Sequence, residues 1–195
     1  MKASAYQSPE GVRRLVVHRR ERREAPEAEI IKPLAVDYRT QCHVTPSDPA
    51  AYMAECLNIK AGDSILEPHA GTGNLLQAVF DEGADIEQVR AVEINSQLIG
   101  ATLDRFPELI CHQADFLKWA KTAPRFDKII MNPPFSNYKL HVSTALDLLK
   151  PGGVLVALLP VTFNWEGFET LDELDSETFS SAKVRTKIVK FTNEV

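Results

Sequence analysis

The sequence predicts an α/β protein whose mostly parallel sheet is covered by helices on both faces. Short apolar runs rich in β-branched residues alternate with helical segments along most of the chain, which is typical of parallel strands joined by crossover helices. Glycine, acidic or asparagine residues follow several of these runs. Because the carboxyl ends of parallel strands meet at one edge of a sheet, that edge is the expected ligand-binding site.

The composition is that of a soluble protein from a reducing compartment. Of the 195 residues, 44% are hydrophobic and 25% are charged, which is usual for a globular domain. No apolar run approaches the roughly 18 residues of a membrane span, and no signal peptide pattern opens the chain. The three cysteines are widely spaced, so neither a disulfide framework nor a zinc site is predicted. We expect a cytoplasmic protein without a bound metal or a membrane partner.

Charge is distributed unevenly along the chain. Residues 1–24 contain seven basic and three acidic residues, so they carry +4 while the rest of the chain carries −9. A basic arm on an acidic body suits nucleic acid binding, although a solvated arginine-rich helix or a disordered tail would show the same pattern. Two prolines, Pro26 and Pro33, mark a linker. We therefore expect an arm at residues 1–37 and one compact domain at residues 38–195.

Five helices and five strands are predicted before the C-terminal region. Ser47 or Asp48 is the expected cap of the first helix, and Asn95 or Ser96 the cap of the third. The run Pro151-Gly152-Gly153 is expected to end the fifth helix. The predicted strands are 64–67, 89–94, 109–113, 128–131 and 154–160, and the predicted helices are 50–57, 75–82, 96–106, 116–121 and 138–150.

The C-terminal region departs from this alternation. Residues 161–182 are acidic and predict a loop, with one helical turn at 168–174. Residues 184–192 alternate apolar and polar side chains, which indicates a half-exposed strand. No helix long enough for a parallel crossover precedes this strand, so we expect it to pair antiparallel near the edge of the sheet.

A glycine-containing loop follows the first predicted strand and has the sequence EPHAGTGN, residues 67–74. Gly71 and Gly73 would allow the backbone to approach a ligand and would expose N–H groups at the start of the next helix. The loop is not the dinucleotide fingerprint, because Leu76 occupies the third glycine position. No lysine follows as in a phosphate-binding loop. Taken alone, the loop also fits a strand-to-helix turn that uses glycine for geometry only.

Two acidic residues follow the next two strands at equal intervals. Glu93 lies 22 residues after Gly71, and Asp115 lies 22 residues after Glu93. A carboxylate at the end of the second strand can accept hydrogen bonds from ribose hydroxyls. Asp115, which precedes Phe116, could accept from an adenine amino group while the ring stacks. Either acid alone could equally be a surface carboxylate.

The fourth strand ends abruptly in Asn132-Pro133-Pro134-Phe135. Two successive prolines cannot extend the strand, and a residue before proline is held in an extended or turn conformation. The result is a stiff elbow that carries a side-chain amide, carbonyl groups and an aromatic ring. Such an elbow suits a planar substrate with an amino group, although a strand that is simply stopped by proline has the same pattern.

Five segments taken together resemble the class I S-adenosylmethionine-dependent methyltransferases: LEPHAGTGNLL, VRAVEIN, QADFL, NPPF and LLKPGGVLVALLP. Thr45-Pro46 upstream of the glycine loop, combined with NPPF, is similar to the enzymes that methylate the amino group of adenine in DNA, especially short forms of phage and plasmid type. The resemblance covers roughly Val44 to Phe191. It implies a Rossmann-like fold, S-adenosylmethionine as cofactor, and nucleic acid as partner, with DNA favoured over RNA.

The resemblance also implies a role for individual residues. Asn132 and the Pro133 carbonyl would hold the target amine, with Pro134 stiffening the elbow and Phe135 stacking on a flipped base. Asn132 would also border the cofactor. The other residues expected at the cofactor are Thr45, Pro46, Glu67, His69, Ala70, Gly71, Gly73, Asn74, Glu93, Ile94, Asp115 and Phe116. Family members often have serine, phenylalanine or proline where His69 stands, so His69 is interpreted as a lining residue.

Several substrates fit the same elbow. Related motifs occur in enzymes that methylate amino groups in ribosomal RNA and a glutamine amide in proteins, and all of these present a planar NH₂ group. A non-catalytic subunit that binds cofactor or nucleic acid is a further alternative, which the intact NPPF and both acids disfavour. A single catalytic domain at residues 38–195 leaves no room for a separate target-recognition domain, so we expect a short or relaxed recognition sequence. Oligomeric state is not visible in the sequence.

Overall fold

A computed structural model describes residues 44–175 and 184–194. Seven strands and five α-helices lie in these ranges. The helices are α1 (Ser47–Leu57), α2 (Asn74–Asp81), α3 (Ser96–Arg105), α4 (Phe116–Trp119) and α5 (Tyr138–Asp147). The strands are β1 (Ile65–Glu67), β2 (Val89–Glu93), β3 (Ile110–Gln113), β4 (Phe126–Met131), β5 (Leu149–Pro160), β6 (Phe168–Leu174) and β7 (Thr186–Thr192). Short 3₁₀ helices precede β2 and follow α4.

The seven strands form one sheet with the order β3-β2-β1-β4-β5-β7-β6. Strands β1 to β5 pair in parallel, and β7 runs antiparallel to both of its neighbours. The predicted α/β class, with its antiparallel C-terminal strand, is confirmed. The chain order of the strands reverses between β1 and β4, and a reversal of this kind opens a crevice at the carboxyl ends of the strands.

The core forms two layers because successive strand residues point to opposite faces of the sheet. Ile130 packs with the buried faces of α1 and α2, whereas Ile129 and Met131 pack with α5 and with Phe116. All three side chains are fully buried. Helices therefore cover both faces, which explains why β4 and β5 appear in the sequence as continuous apolar runs.

Strand β6 corrects the prediction of a loop with a helical turn at 168–174. A register shift between Thr170 and Asp172 interrupts the pairing of β6 with β7. This bulge places the half-buried residues Phe168, Leu171 and Leu174 three positions apart, which is closer to a helical period than to the period of a strand. Because β6 takes the edge position, β7 lies one strand further in than predicted.

Two helix ends also differ from the predictions. Pro46, rather than Ser47 or Asp48, occupies the cap position of α1, and no side chain of the described residues caps that helix. Helix α5 ends at Asp147, and the run Pro151-Gly152-Gly153 lies within β5. These residues bend the start of β5, where backbone hydrogen bonds link Gly152 and Gly153 to Asn193. Of the two residues predicted to cap α3, Asn95 is the one that does so. Its side chain accepts hydrogen bonds from the backbone N–H groups of Gln97 and Leu98.

The predicted basic arm, residues 1–37, lies outside the described residues. Among the helices that are described, none is long and apolar enough to cross a bilayer.

Candidate active site

A cavity of about 380 Å³ opens at the carboxyl ends of β1, β2 and β4, where the strand order reverses. Its walls combine carboxyl groups with amide and apolar side chains. Twelve of the residues predicted to form the site line it: Thr45, Glu67, His69, Ala70, Gly71, Asn74, Glu93, Ile94, Asp115, Phe116, Asn132 and Pro134. The structure thus brings together residues from four separate motifs of the sequence.

The glycine loop between β1 and α2 is closed by hydrogen bonds within the protein. Gly71 N donates to Glu93 Oε2 at 2.8 Å, and Gly73 N donates to the carbonyl of Ala70 at 2.8 Å. The prediction that these two glycines expose their N–H groups to a ligand is therefore wrong, because both groups already have acceptors. Gly73 has a φ of 81°, and a Cβ on it would lie 2.9 Å from Phe106 Cε2. Glycine at this position serves close packing of the loop against α3.

Side chains of helix α3 hold the same loop in place through hydrogen bonds. Thr102 Oγ1 donates to the Gly71 carbonyl at 3.0 Å. Arg105 donates to the Thr72 carbonyl and, at 3.2 Å, to Asn74 Oδ1. Neither Thr102 nor Arg105 was predicted from the sequence. Their positions on α3 carry no distinguishing pattern, and only the fold brings them beneath the loop.

Glu93 ends β2, and its carboxylate is held in one orientation. Its Oε2 accepts from Gly71 N and its Oε1 accepts from Asn95 N, both at 2.8 Å. The residue is only 7% exposed. Each carboxylate oxygen can accept more than one hydrogen bond, so this group retains the capacity to accept from ligand hydroxyls at the cavity wall.

Glu67 ends β1 and is the most deeply buried acid of the cavity, with 1% of its surface exposed. Its Oε2 has no hydrogen-bond partner among the described residues. Burial, together with the nearby Glu93, raises the pKa of Glu67 well above its ordinary value. An orphaned buried carboxyl beside a cavity is costly to keep charged, so a cationic or hydrogen-bonding ligand there would stabilise its ionised form.

Thr45 connects the glycine loop with the NPPF elbow. The Thr45 carbonyl accepts from Asn74 Nδ2 at 2.9 Å, and Thr45 Oγ1 accepts from Asn132 Nδ2 at 3.0 Å. Since the amide nitrogen of Asn132 donates to Thr45, the amide oxygen is the acceptor end that the elbow offers. Thr45 is 4% exposed, so this connection is shielded from water.

The opposite wall of the cavity is built on the start of α4. Asp115 caps this helix, with Oδ1 accepting from Leu117 N at 2.9 Å. The next residue, Phe116, is buried and lies against two histidine rings, those of His69 and His141. Asp115 thus has a structural task as a cap in addition to its place in the cavity. His141 was not predicted, because a single histidine within α5 gives no signal in the sequence.

Four of the predicted site residues are not part of the cavity lining. Pro46 occupies the cap position of α1, and Gly73 that of α2. Pro133 is buried, and Phe135 is half-buried beside the lining residue Pro134. Within residues 44–175 and 184–194 no group of three or more His, Cys, Asp or Glu side chains is arranged to hold a metal ion.

The strand order, the two helical layers and the position of the cavity are those of the class I, Rossmann-like methyltransferase fold. Comparison with solved structures supports this assignment. A type I restriction-modification system methyltransferase subunit from Streptococcus thermophilus superposes with a TM-score of 0.67 and 18% identity, over 78% of this chain and 44% of that chain. The 23S rRNA methyltransferase ErmE gives a TM-score of 0.65 and 18% identity, over 79% of this chain and 70% of that chain.

Among curated proteins, the chain is similar to the type II restriction enzyme and methyltransferase RM.BcgI of Heyndrickxia coagulans. The two are 27% identical in an alignment of 194 positions that covers 76% of this chain. The chain spans only 30% of the length of that relative. No family model matches the chain. The resemblance to class I methyltransferases that the motifs predicted is confirmed, and the structural neighbours establish the shared fold.

Proposed function

We propose that this protein is an S-adenosylmethionine-dependent methyltransferase that modifies the exocyclic amino group of adenine in DNA. The observation that carries the proposal is the bonding of Thr45 to both Asn74 and Asn132. Thr45 links the NPPF elbow, which suits a planar amine, to the glycine loop, which suits the methyl donor. Both border the same cavity. Two sites held this close would allow a direct transfer between their ligands.

The residues of the cavity fit the proposed cofactor. A volume of about 380 Å³ lies within the usual range of small-molecule sites. Glu67, Glu93 and Asp115 supply acidic groups for a ligand with a positive charge and ribose hydroxyls, and Ile94 and Phe116 supply apolar surface for an adenine ring. The orphaned carboxyl of Glu67 is the strongest sign that this wall is completed by a ligand.

When bound, S-adenosylmethionine supplies a methyl group on a positively charged sulfur. An aromatic amine is a weak nucleophile because its lone pair is delocalised into the ring. Asn132 lines the cavity, and its Oδ1 would accept one amine hydrogen, while the resemblance assigns the other to the Pro133 carbonyl. Two such hydrogen bonds favour a tetrahedral nitrogen and direct its lone pair towards the methyl group. Two fixed acceptors at the place where positive charge develops are preorganised for the transition state. The N–C bond would form as the S–CH₃ bond breaks, leaving a neutral thioether. The cationic methylated nitrogen is strongly acidic, so its surplus proton would pass to water after the transfer and no strong general base is required.

A base within a duplex cannot reach the cavity, so the target must be flipped or presented as a single strand. Phe135 is the last residue of the elbow and is half-buried, and the resemblance gives its ring the role of stacking on the flipped base. Stacking of one base on an aromatic side chain contributes about 1–3 kcal/mol, which offsets part of the cost of flipping.

The choice of DNA rests on the sequence resemblance and on the relative named for restriction and methylation. Ribosomal RNA is the second candidate substrate, since an rRNA methyltransferase superposes about as well as the restriction-modification subunit does. The elbow would hold an adenine or guanine amine of RNA by the same two acceptors. Substrate choice must therefore be measured.

Incubation of the protein with methyl-labelled cofactor and separate pools of DNA, RNA and protein tests the proposal. We expect label in DNA, recovered as methylated adenine after digestion to nucleosides. Label in RNA or protein instead would contradict the choice of DNA, and label in none of the pools would contradict the proposed activity. A Glu93→Ala variant is the control, because label that persists in it does not depend on this cavity.

A further inference from the structure

Two histidines at the cavity wall form a direct hydrogen bond that the proposed reaction does not use. His69 Nε2 and His141 Nδ1 are 2.7 Å apart. Their ring centroids are separated by 4.7 Å, and the rings lie 5.3 Å and 5.8 Å from the ring of Phe116. His69 comes from the glycine loop and His141 from α5, so the pair joins the cofactor side of the cavity to the helix that follows the elbow.

The surroundings of the pair determine where its hydrogens lie. His69 Nδ1 is buried and has no hydrogen-bond partner among the described residues. A buried N–H without an acceptor costs more than a bare ring nitrogen, so His69 carries its hydrogen on Nε2 and donates to His141 Nδ1. A neutral imidazole has one N–H. His141 therefore carries its own hydrogen on Nε2, on a residue that lines the cavity.

We propose that His69 and His141 are a positioning pair for the cofactor, in which His69 fixes the tautomer of His141 and thereby reserves the Nε2–H of His141 for an acceptor atom on the adenosine half of the ligand. The pair lies beside Phe116 and Asp115, which are the residues expected at the adenine ring. The hydrogen bond is therefore assigned to the adenosine half of the ligand rather than to its methionine end. The inference rests on the proposed function, because it takes S-adenosylmethionine as the ligand.

The pair is neutral at pH 7. Burial lowers the pKa of His69 well below its ordinary value, and His141 lowers it further. Burial also lowers the pKa of His141, although the negative charge of Asp115 opposes this. A proton added to the pair in acid would place a positive charge near a cationic cofactor. S-adenosylhomocysteine lacks the sulfonium charge, so its binding should weaken less than that of S-adenosylmethionine as pH falls through the lowered pKa of His141.

Three carboxyl groups line the same cavity and bear on this pH effect. They are those of Glu67, Glu93 and Asp115, and a cationic ligand gains from the negative charge of Glu67 only when that carboxyl is ionised. Protonation of Glu67, whose pKa is raised, would also weaken binding of the cation as pH falls. The contribution of the histidines is therefore the part of the pH dependence that changes when His141 is replaced.

Calorimetric titration of S-adenosylmethionine and S-adenosylhomocysteine into four proteins tests the pair. His141→Phe keeps a ring against Phe116 but removes the hydrogen bond, and His141→Asn places an amide oxygen where Nδ1 accepts from His69. His112→Asn is the matched control, since His112 contacts Trp119 and does not line the cavity. We expect His141→Phe to weaken both ligands about 3- to 10-fold at pH 7.5, as the loss of one hydrogen bond does. His141→Asn should recover part of this loss, and His112→Asn should bind like the wild type.

The outcomes separate this inference from the proposed function. If the wild type binds neither ligand, the proposed function fails. If the wild type binds both and His141→Phe binds equally well, the positioning role is wrong and the proposed function stands. Between pH 7.5 and 5.5 the preference for S-adenosylmethionine should fall more steeply in the wild type than in His141→Asn, and equal slopes would contradict the charge argument.

The tautomer can be measured without any substitution. Long-range ¹H–¹⁵N spectra distinguish a protonated Nδ1 from a protonated Nε2. We expect both histidines of the pair to be in the Nε2–H form in the ligand-free protein at pH 7.5. A signal showing Nδ1–H on His69 would overturn the assignment on which the role of His141 depends.

Discussion

Thr45 shows how one buried residue can connect motifs that are far apart in the sequence. It lies 29 residues before Asn74 and 87 residues before Asn132, and it is bonded to both side chains. Thr45, Asn74 and Asn132 were predicted as site residues from the family resemblance that the motifs carry. The bonds among them could not be predicted, since they depend on side-chain directions that only the packed sheet determines.

The sequence analysis did not predict three residues that contact the site and lie outside the motifs. His141, Thr102 and Arg105 lie within helices, where a single polar residue is compatible with many positions. The prediction that Gly71 and Gly73 expose their N–H groups was wrong for a related reason. The carboxylate of Glu93 becomes an acceptor only when β2 lies beside the loop, and the carbonyl of Ala70 only when the loop itself is folded.

A pH-dependent contribution to stability follows from Glu67. Its pKa is raised in the folded protein, so the folded state holds a proton more tightly than the unfolded state, whose pKa is about 4.3. Below that pH the carboxyl is protonated in both states and does not oppose folding. As pH rises from there through the raised pKa of the folded state, the free energy of unfolding falls. Glu67→Gln removes this titration. We expect the melting temperature of the variant, relative to the wild type, to increase between pH 5 and pH 8.5.

Thermal unfolding of both proteins without cofactor, followed by circular dichroism, measures this difference. A difference that stays constant with pH would show that Glu67 does not titrate abnormally. Added S-adenosylmethionine should reduce the difference, because a bound cation stabilises the ionised carboxylate.

At the scale of elements, the sequence predicted every parallel strand and missed only β6. Strands β1 and β4 and the second half of β5 are buried, so their apolar residues are easily recognised. Strand β3 lies at the other edge of the sheet and is half-exposed. Strand β6 is acidic, forms the edge of the sheet and contains a bulge. Its residues therefore lack both the apolar run of a central strand and the regular alternation of a half-exposed one. An edge strand rich in acidic residues is also protected from pairing with other chains.

The bent start of β5 gives a prediction about glycine. A Cβ on Gly153 would lie 2.8 Å from the Lys150 carbonyl oxygen and 3.1 Å from that of Asp127, both of them backbone atoms that cannot easily move. Gly153→Ala should therefore lower the free energy of unfolding by about 1–3 kcal/mol. Gly100, exposed within α3, has open space around its Cα.

Gly100→Ala is the matched control and should raise the free energy of unfolding by about 0.5–1 kcal/mol, since alanine is the better helix former. Urea denaturation of the two variants and the wild type measures both effects. If the two substitutions changed stability in the same direction, the tight contact at Gly153 would not be the cause.

At the scale of the whole molecule, the mostly parallel sheet and a ligand site at the carboxyl ends of its strands were predicted from the alternation of elements and the spacing of the acids. The substrate was not, because an elbow that holds one planar NH₂ group holds many. The uneven charge is the remaining clue. Residues 1–24 of the basic arm carry +4 and the rest of the chain carries −9, so an acidic body would repel a nucleic acid unless a basic segment drew it in.

Removal of residues 1–37 tests this interpretation of the arm. If the arm binds phosphates, duplex DNA should bind less tightly to the shortened protein. The slope of log affinity against log salt concentration should become shallower by about 0.9 for each phosphate that the protein no longer neutralises. Fluorescence anisotropy at several salt concentrations measures both quantities. An unchanged slope would support the alternative, that residues 1–24 are a solvated segment without a role in binding.

The central claim is that the Asn132 amide holds the amine that receives the methyl group. Asn132→Ala should lower the rate of transfer to adenine in DNA at least about 100-fold, the loss typical when one preorganised hydrogen-bonding group is removed. Cofactor affinity should stay within about threefold, because the other lining residues remain in place. Asn164→Ala, at an exposed position away from the cavity, is the matched control and should retain full activity.

The direct measurement is single-turnover transfer of labelled methyl groups to adenine-containing DNA, with cofactor affinity measured by calorimetry on the same preparations. The account predicts a loss of transfer with binding preserved in Asn132→Ala. Full transfer by Asn132→Ala would contradict it.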